Sequence, residues 1–428
     1  MSRVRARLRV RTAPGLRRSP TMPAMLLTLA ALLALAMPAV SLAQAASPRL
    51  IGYYTEWSVY QRKYHVADVP AQLLTHLNYA FAKPTAAGEC VLADAYAATD
   101  KFYPGDSWEP GQLRGNLRQL QRLKAKHPRL RTLISVGGYS HSGPFSDLAH
   151  DPALRRAFAR SCAEFVAKYG FDGVDLDWEY PVGGGHLSTK TRATDRENCT
   201  LLVAELRREL EQHSRSLGRK LELSLALPAT PALLAHFELD KLHPHVDWFN
   251  VMAYDFVGPW SATTGFNAPL YACSDDANPD EVARTKHNAD AAVRAIAGAG
   301  VPNAKIVLGV PFYGRAWAGV TNLHRGLFQP FAKNQPAPGT REPGILEYRD
   351  LRANYLPKMQ RYFHDEAKCA WLYDPARRWM ISYEDPETLT AKAQFIRQRG
   401  LGGAMVWELA ADDEQATLLT TLHDQLNR

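Results

Sequence analysis

From position 48 onward, short apolar runs alternate with stretches in which apolar residues recur every three or four positions. The runs predict eight strands: "RLIGYY" (49–54), "LTHLNYAFA" (74–82), "LRTLISVGG" (130–138), "FDGVDLDW" (171–178), "KLELSLALP" (220–228), "DWFNVMAY" (247–254), "KIVLGVPFYG" (305–314) and "GGAMVWEL" (402–409). Helical periodicity falls between most of them. "GQLRGNLRQLQRLKAKH" (111–127) ends before Pro128. In "DPALRRAFARSCAEFVAKYG" (151–170), Asp151 caps the start, Pro152 takes the first helical position and Gly170 stops the helix. "NCTLLVAELRRELEQHSRSLG" (198–218), "ADAAVRAIAGAG" (289–300) and "DDEQATLLTTLHDQL" (412–426) follow the same plan.

Strands alternating with helices imply a parallel sheet, and eight is the number that closes one into a (β/α)8 TIM barrel. An open doubly wound sheet is the alternative, but no GxGxxG follows the first strand. Residues 315–385 interrupt the alternation. They are rich in Pro, Gly and aromatics and hold their own strand-like pieces, "GILEYRDL", "CAWLYD" and "RWMISY". This predicts a catalytic barrel over 47–314 and 386–428, with a small α+β domain over 315–385 inserted between strand 7 and helix 7.

The first 45 residues read as a secretory signal peptide. A basic stretch without acids precedes the apolar run "AMLLTLAALLALAM", and Ala43 and Ala45 offer a cleavage site. An uncleaved membrane anchor is the other reading. Those residues carry seven Arg, so removing them takes the formal charge from +8 to about +1. The basic balance therefore belongs to the leader and gives no support for a nucleic-acid partner. The expected product is secreted, extracellular or periplasmic, free of the membrane after cleavage, and monomeric. Five cysteines leave at least one unpaired in a monomer. No CxxC or Cys/His ligand spacing argues for zinc.

"DGVDLDWEY" (172–180) places four carboxylates in a predicted strand. Alternate residues of a barrel strand point inward. Val174, Leu176 and Trp178 then face the outer helices, while Asp175, Asp177 and Glu179 face the interior, with neighbours roughly 6–7 Å apart. Asp172 is out of phase and serves the strand's entry. Mutual repulsion and lost solvation raise carboxyl pKa values, so this set shares protons. Glu179 lies at the C-terminal end, where barrel enzymes place their chemistry, and suits a general acid. A metal site and a buried structural network compete with this reading. An EF-hand would need Gly where Trp178 or Tyr180 stands.

"FDGVDLDWEYP" resembles the DxxDxDxE signature of glycoside hydrolase family 18 chitinases. "LISVGG" is similar to that family's SxGG motif, and "NVMAYDF", "VLGVPFYGRAW" and "GGAMVWEL" to its later strands. "KFYPGDSW" (101–108) also looks like a stretch found in many members. The motifs run in order through the whole mature chain, and the insertion falls where the family carries its insertion domain. The resemblance implies a retaining, substrate-assisted hydrolysis of β-1,4 links between N-acetylglucosamine units through an oxazolinium ion, without cofactor or metal. Glu179 would be the acid and base. Asp177 would hold the acetamide N–H, and Asp175 would exchange a proton with Asp177. Tyr254 and Asp255 would hold the acetamido group and the sugar. Tyr53 and Ser135 would support Asp175. Met252, Tyr313 and Arg315 would shape and brace the pocket, with Gly138 and Tyr180 beside the substrate. Trp407 would be the floor, and Phe81 and Trp57 would extend the groove. Tyr139 stands where many members have Trp. The chitin or chitooligosaccharide substrate has two rivals: an N-glycan cleaved by an endo-β-N-acetylglucosaminidase, and a non-catalytic lectin. Lectin-like relatives lack the acid that Glu179 supplies.

Overall fold

Eight parallel strands close on themselves in the computed structural model, which describes residues 48–428 except Pro110, together with positions 9, 11 and 15. The signal-peptide reading falls outside the described residues. Ser47–Arg428 form one compact unit. The strands are β1 Arg49–Thr55, β2 His76–Pro84, β3 Cys90–Leu92, β4 Arg131–Gly137, β5 Gly173–Asp177, β6 Glu222–Pro228, β7 Trp248–Met252, β8 Ile306–Pro311, β9 Tyr313–Trp317, β10 Ile345–Glu347, β11 Gln360–His364, β12 Cys369–Asp374, β13 Trp379–Tyr383 and β14 Gly403–Trp407. The barrel order is β1-β14-β8-β7-β6-β5-β4-β2, and pairing of β1 with β2 closes it. β3 adds antiparallel to the end of β2. All eight runs predicted from the alternation become these barrel strands.

Each strand turns one face to the helices and one to the interior. On β5, Val174 and Leu176, followed by Trp178, pack in the layer beneath the helices, where the Trp178 ring lies 5.6 Å from Phe145. Inside the barrel, Ile51, Tyr53, Phe81, Leu133, Trp248, Val307 and Met405 form a separate cluster. Asp172 anchors the start of β5. Its carboxylate pairs with Lys124 (2.7 Å) and Arg219 (2.7 Å) and accepts the Thr132 N–H (2.8 Å).

The helix Pro152–Tyr169 starts and stops at the predicted residues. The Asp151 side chain accepts the N–H groups of Ala153 and Leu154, and Gly170 closes it at φ 78°. Other ends move. The first helix begins at Gly115, and the helix Asp195–Leu217 starts three residues early. The last helix runs Thr417–Leu426, because Asp412 is spent accepting the N–H groups of Leu418 and Leu419 from outside it. The acidic start of "DDEQATLL" is thus a capping loop. No helix among the described residues is long and apolar enough to cross a membrane.

The second sheet is antiparallel, order β10-β9-β13-β12-β11, and spans Tyr313–Tyr383. Trp317, Val320, Leu327, Trp371, Tyr373 and Met380 give it a core of its own, joined by Phe266 from the segment after β7. β9 follows β8 after a single residue, so the pattern merges the two. β11, "QRYFH", is an exposed edge without apolar alternation and leaves no strand signal. The cysteines Cys90, Cys162, Cys199, Cys273 and Cys369 are all free thiols.

A buried ion pair fastens this sheet to the barrel. Lys392, on the helix Pro386–Arg399, pairs with Glu384 after β13 and donates to the Ala268 carbonyl (2.7 Å). Both side chains are almost fully enclosed. Lys392→Ala would strand a buried carboxylate and is expected to cost about 3–5 kcal/mol of unfolding free energy. Lys392→Met combined with Glu384→Leu should cost clearly less. Denaturant titration of both variants checks the difference.

Candidate active site

The three acids rise along the inner face of β5 into a cavity of about 400 Å³ at the C-terminal end of the barrel. Asp175 lies deepest and is caged. Its Oδ2 accepts Tyr53 Oη–H (2.6 Å) and Ser135 Oγ–H (2.7 Å), and its Oδ1 accepts Ser224 Oγ–H (2.6 Å) and Asn250 Nδ2–H (3.0 Å). Burial still pushes its pKa up, against these four donors. Asp177 is different. It is buried, its Oδ1 has no partner among the described residues, and it sits between two other acids. Burial first, then Glu179 and Asp175, hold its carboxyl well above the usual range. Glu179 follows at the rim. Burial raises it to about 7, opposed by a hydrogen bond from Tyr180 and aided by the charge of Asp255.

The loop after β4 fixes the upper end of this ladder. Gly138 N–H donates to the Asp177 carbonyl (2.8 Å). Ser142 Oγ accepts the Glu179 N–H (2.9 Å) and donates to the Gly138 carbonyl (2.9 Å). The paired glycines permit this approach. A Cβ on Gly137 would lie 2.2 Å from the Asp177 carbonyl oxygen, and one on Gly138 would lie 2.7 Å from the Phe81 ring. Both take positive φ, 113° and 80°.

On the β7 side, Asp255 closes the wall. Arg315 grips both its oxygens, Nε to Oδ1 and Nη2 to Oδ2, each at 2.8 Å, and Tyr313 Oη–H donates to Oδ1 (2.7 Å). Its own N–H is held by Asn267 Oδ1 (3.0 Å). Tyr254 leans edge-on against Tyr313, with centroids 6.3 Å apart, and Met252 lines the wall beside them. The opposite wall is aromatic. Trp407 stacks on Phe81 (5.9 Å) and Phe81 on Trp57 (6.1 Å), and Tyr53 meets Trp407 edge-on from below (5.4 Å).

Of the residues expected from sequence, Asp177, Glu179, Tyr180, Met252, Tyr254, Asp255, Tyr313, Trp57, Phe81 and Trp407 line the cavity. Asp175, Tyr53 and Ser135 lie under it, Gly138 behind Phe81 and Arg315 behind Asp255. Ser224, Asn250 and Ser142 were not foreseen, nor were Thr230, Leu233 and His141 on the wall. Ser224 and Asn250 did leave a signal: each is a polar residue at a buried, inward position of a barrel strand.

A caged acid, an unpartnered acid and a proton-bearing acid rise in one line beside a flat aromatic wall. That arrangement can bind a ring with an apolar face, deliver a proton to it and meet a buried N–H, which is the equipment of a barrel glycosidase. Residues 49–412 match Glycosyl hydrolases family 18, and the chain belongs to that family. Chitinase A1 of Niallia circulans is 40% identical over 90% of this chain, which spans 60% of that protein's length. Chitinase 1 of Aphanocladium album is 35% identical over 87% of this chain and 84% of its own. Among solved structures, chitinase ChiA74 from Bacillus thuringiensis superposes with a TM-score of 0.84 at 37% identity, covering 89% of this chain and 70% of that one.

Gly138→Ala should drive a methyl group into Phe81 and hold the backbone at φ 80° against its preference. The expected loss is about 1–3 kcal/mol in denaturant titration. A changed near-ultraviolet circular dichroism spectrum should accompany it, because Phe81 carries the Trp57–Phe81–Trp407 stack.

Proposed function

We propose that this protein is a secreted chitinase that hydrolyses β-1,4 linkages between N-acetylglucosamine units, with retention of configuration and assistance from the substrate's own acetamido group. The observation that carries the reading is Asp177 Oδ1, buried and without a protein partner between a caged Asp175 and the proton-bearing Glu179. A partnerless buried oxygen costs free energy unless a ligand donor fills it, and the acetamide N–H is such a donor.

The steps follow from the positions. Glu179 gives its proton to the glycosidic oxygen, and the bond from that oxygen to C1 breaks. The acetamido carbonyl oxygen bonds to C1 from the opposite face and forms an oxazolinium ion. Its N–H donates to Asp177, whose negative charge offsets the positive charge on the ring. Asp175 takes up the proton that Asp177 sheds, inside the cage of Tyr53, Ser135, Ser224 and Asn250. Water then attacks C1 while the Glu179 carboxylate accepts its proton, and the bond between C1 and the acetamido oxygen breaks to restore the acetamide. Two displacements at C1 restore the original configuration. Asp255, clamped by Arg315 and Tyr313, and Tyr254 hold the acetamido group and sugar hydroxyls, and Trp407 stacks under the ring. Trp57 and Phe81 extend the stacking surface along the groove.

Hydrolysis of N-acetylchitohexaose, set beside glycan release from an N-glycoprotein, tests the substrate. Cleavage of the first alone is expected; release of the glycan alone would overturn the reading in favour of an endo-β-N-acetylglucosaminidase. Glu179→Gln removes the proton donor and keeps the shape. Turnover should fall by about 10²–10⁴-fold while oligosaccharide binding, measured by calorimetry, persists.

The active form of Glu179 is the protonated one, and its pKa lies near 7. kcat/KM should therefore fall about tenfold per unit above that pH, and fall again on the acid side once Asp175 and Asp177 are both protonated and no carboxylate is left to face the oxazolinium ion. Asp177→Asn should lower kcat far more than it raises KM, since the charge it removes is needed in the transition state.

A further inference from the structure

Three side chains that the reaction does not use meet at the outer end of the second sheet. Cys273 and Asp275 lie in the segment between β7 and the helix Glu281–Lys286, and His364 ends β11. One donor atom from each, a sulfur, a carboxylate oxygen and an imidazole nitrogen, lies within 4.8 Å of the other two. Several contacts hold the two segments in this relation. Glu366 accepts the Ser274 N–H (2.7 Å) and Oγ–H (3.0 Å), and Leu270 N–H donates to the Ala367 carbonyl (3.0 Å). The His364 ring is fixed on two sides. It meets Phe266 edge-on at 5.5 Å, and its Nδ1 accepts the Ala367 N–H (3.2 Å), which turns Nε2 toward Asp275 Oδ1 at 3.0 Å.

We propose that Cys273, Asp275 and His364 form a binding site for a borderline divalent cation of the zinc type, separate from the catalytic cavity. One sulfur, one nitrogen and one oxygen are the donor types zinc takes, whereas calcium and magnesium call for oxygen alone. Three protein ligands leave the fourth tetrahedral position to water. Zinc bonds of 2.0–2.3 Å place tetrahedral donors about 3.3–3.8 Å apart, so the widest gap closes by about 1 Å at most while Nε2 and Oδ1, 3.0 Å apart, separate slightly. The exposed Asp275 and half-exposed Cys273 side chains can move that far.

The proton balance is explicit. As the zinc–sulfur bond forms, the thiol proton of Cys273 leaves to solvent. The His364 proton moves from Nε2 to Nδ1, giving up the hydrogen bond from the Ala367 amide, and no oxidation state changes. One neutral hydrogen bond is small beside the binding energy of a metal–thiolate site. Without a cation, burial together with Asp275 and Asp276 pushes the Cys273 thiol up to about 12. The site would staple the segment that carries Asp255 to the second sheet. Ligands 91 residues apart in sequence show no motif spacing, which is why the chain read alone argued against zinc.

Cobalt(II) is the probe. Chelator-stripped protein should bind one equivalent, with tetrahedral d–d bands and a thiolate-to-cobalt charge-transfer band that zinc bleaches on displacement. Cys273→Ser should abolish the charge-transfer band, and Asp275→Asn, at an exposed position, should weaken affinity at least tenfold with the fold intact by circular dichroism. Zinc should raise the melting temperature of the parent protein and leave that of Cys273→Ser unchanged. Absence of saturable cobalt binding, or a charge-transfer band that survives in Cys273→Ser, overturns the proposal.

Discussion

Three carboxyl groups on one face of one strand repel each other, and the rest of the site is built around that repulsion. Asp175 and Asp177 share the inner face of β5 because a strand alternates its side chains, and Glu179 continues their line two residues beyond the strand's end. Among the described residues, none of the three has a basic partner on the barrel interior to neutralise it. The barrel instead supplies Asp175 with four neutral donors from four different strands, β1, β4, β6 and β7. Those donors oppose the rise that burial imposes on Asp175, whereas Asp177 is raised further by the two neighbouring acids and Glu179 is raised by burial and Asp255. A graded set of acids follows from where donors are present and where they are withheld.

The second constraint is rigidity at the ladder's upper end. Glu179 lies past the last ladder bond of β5, and a free chain end would not hold an acid in place. Ser142 holds the Glu179 N–H, Gly137 and Gly138 at the end of β4 let the chain approach the Asp177 carbonyl, and Gly138 also makes room for Phe81. On the far side, Arg315 begins in the second sheet and reaches back to clamp Asp255, so that sheet is part of the site's frame as well as an addition to the rim. The buried Lys392–Glu384 pair serves the same joint from behind.

Much of this was legible in the sequence. The period-two pattern of "DGVDLDWEY" sorted inward acids from outward Val174, Leu176 and Trp178, and eight apolar runs separated by helices implied the barrel. What could not be read were contacts made by residues remote along the chain. Ser224 and Asn250 are ordinary polar residues until the closed barrel brings them 2.6 and 3.0 Å from Asp175. β9 was hidden because it continues an apolar run across Phe312, and β11 because an edge strand need not alternate. The Cys273, Asp275 and His364 cluster depends on a loop meeting a different sheet, which no local pattern records.

In the proposed reaction Asp177 receives the substrate's amide while Glu179 handles protons, so that C1 is displaced twice. The most direct test is proton NMR of the anomeric signals in the first minutes of N-acetylchitohexaose hydrolysis, before mutarotation mixes them. New reducing ends should appear first as the β-anomer and relax later toward the equilibrium mixture. New reducing ends that appear first as the α-anomer would contradict this reaction, because a single displacement by water leaves no step for the acetamido group.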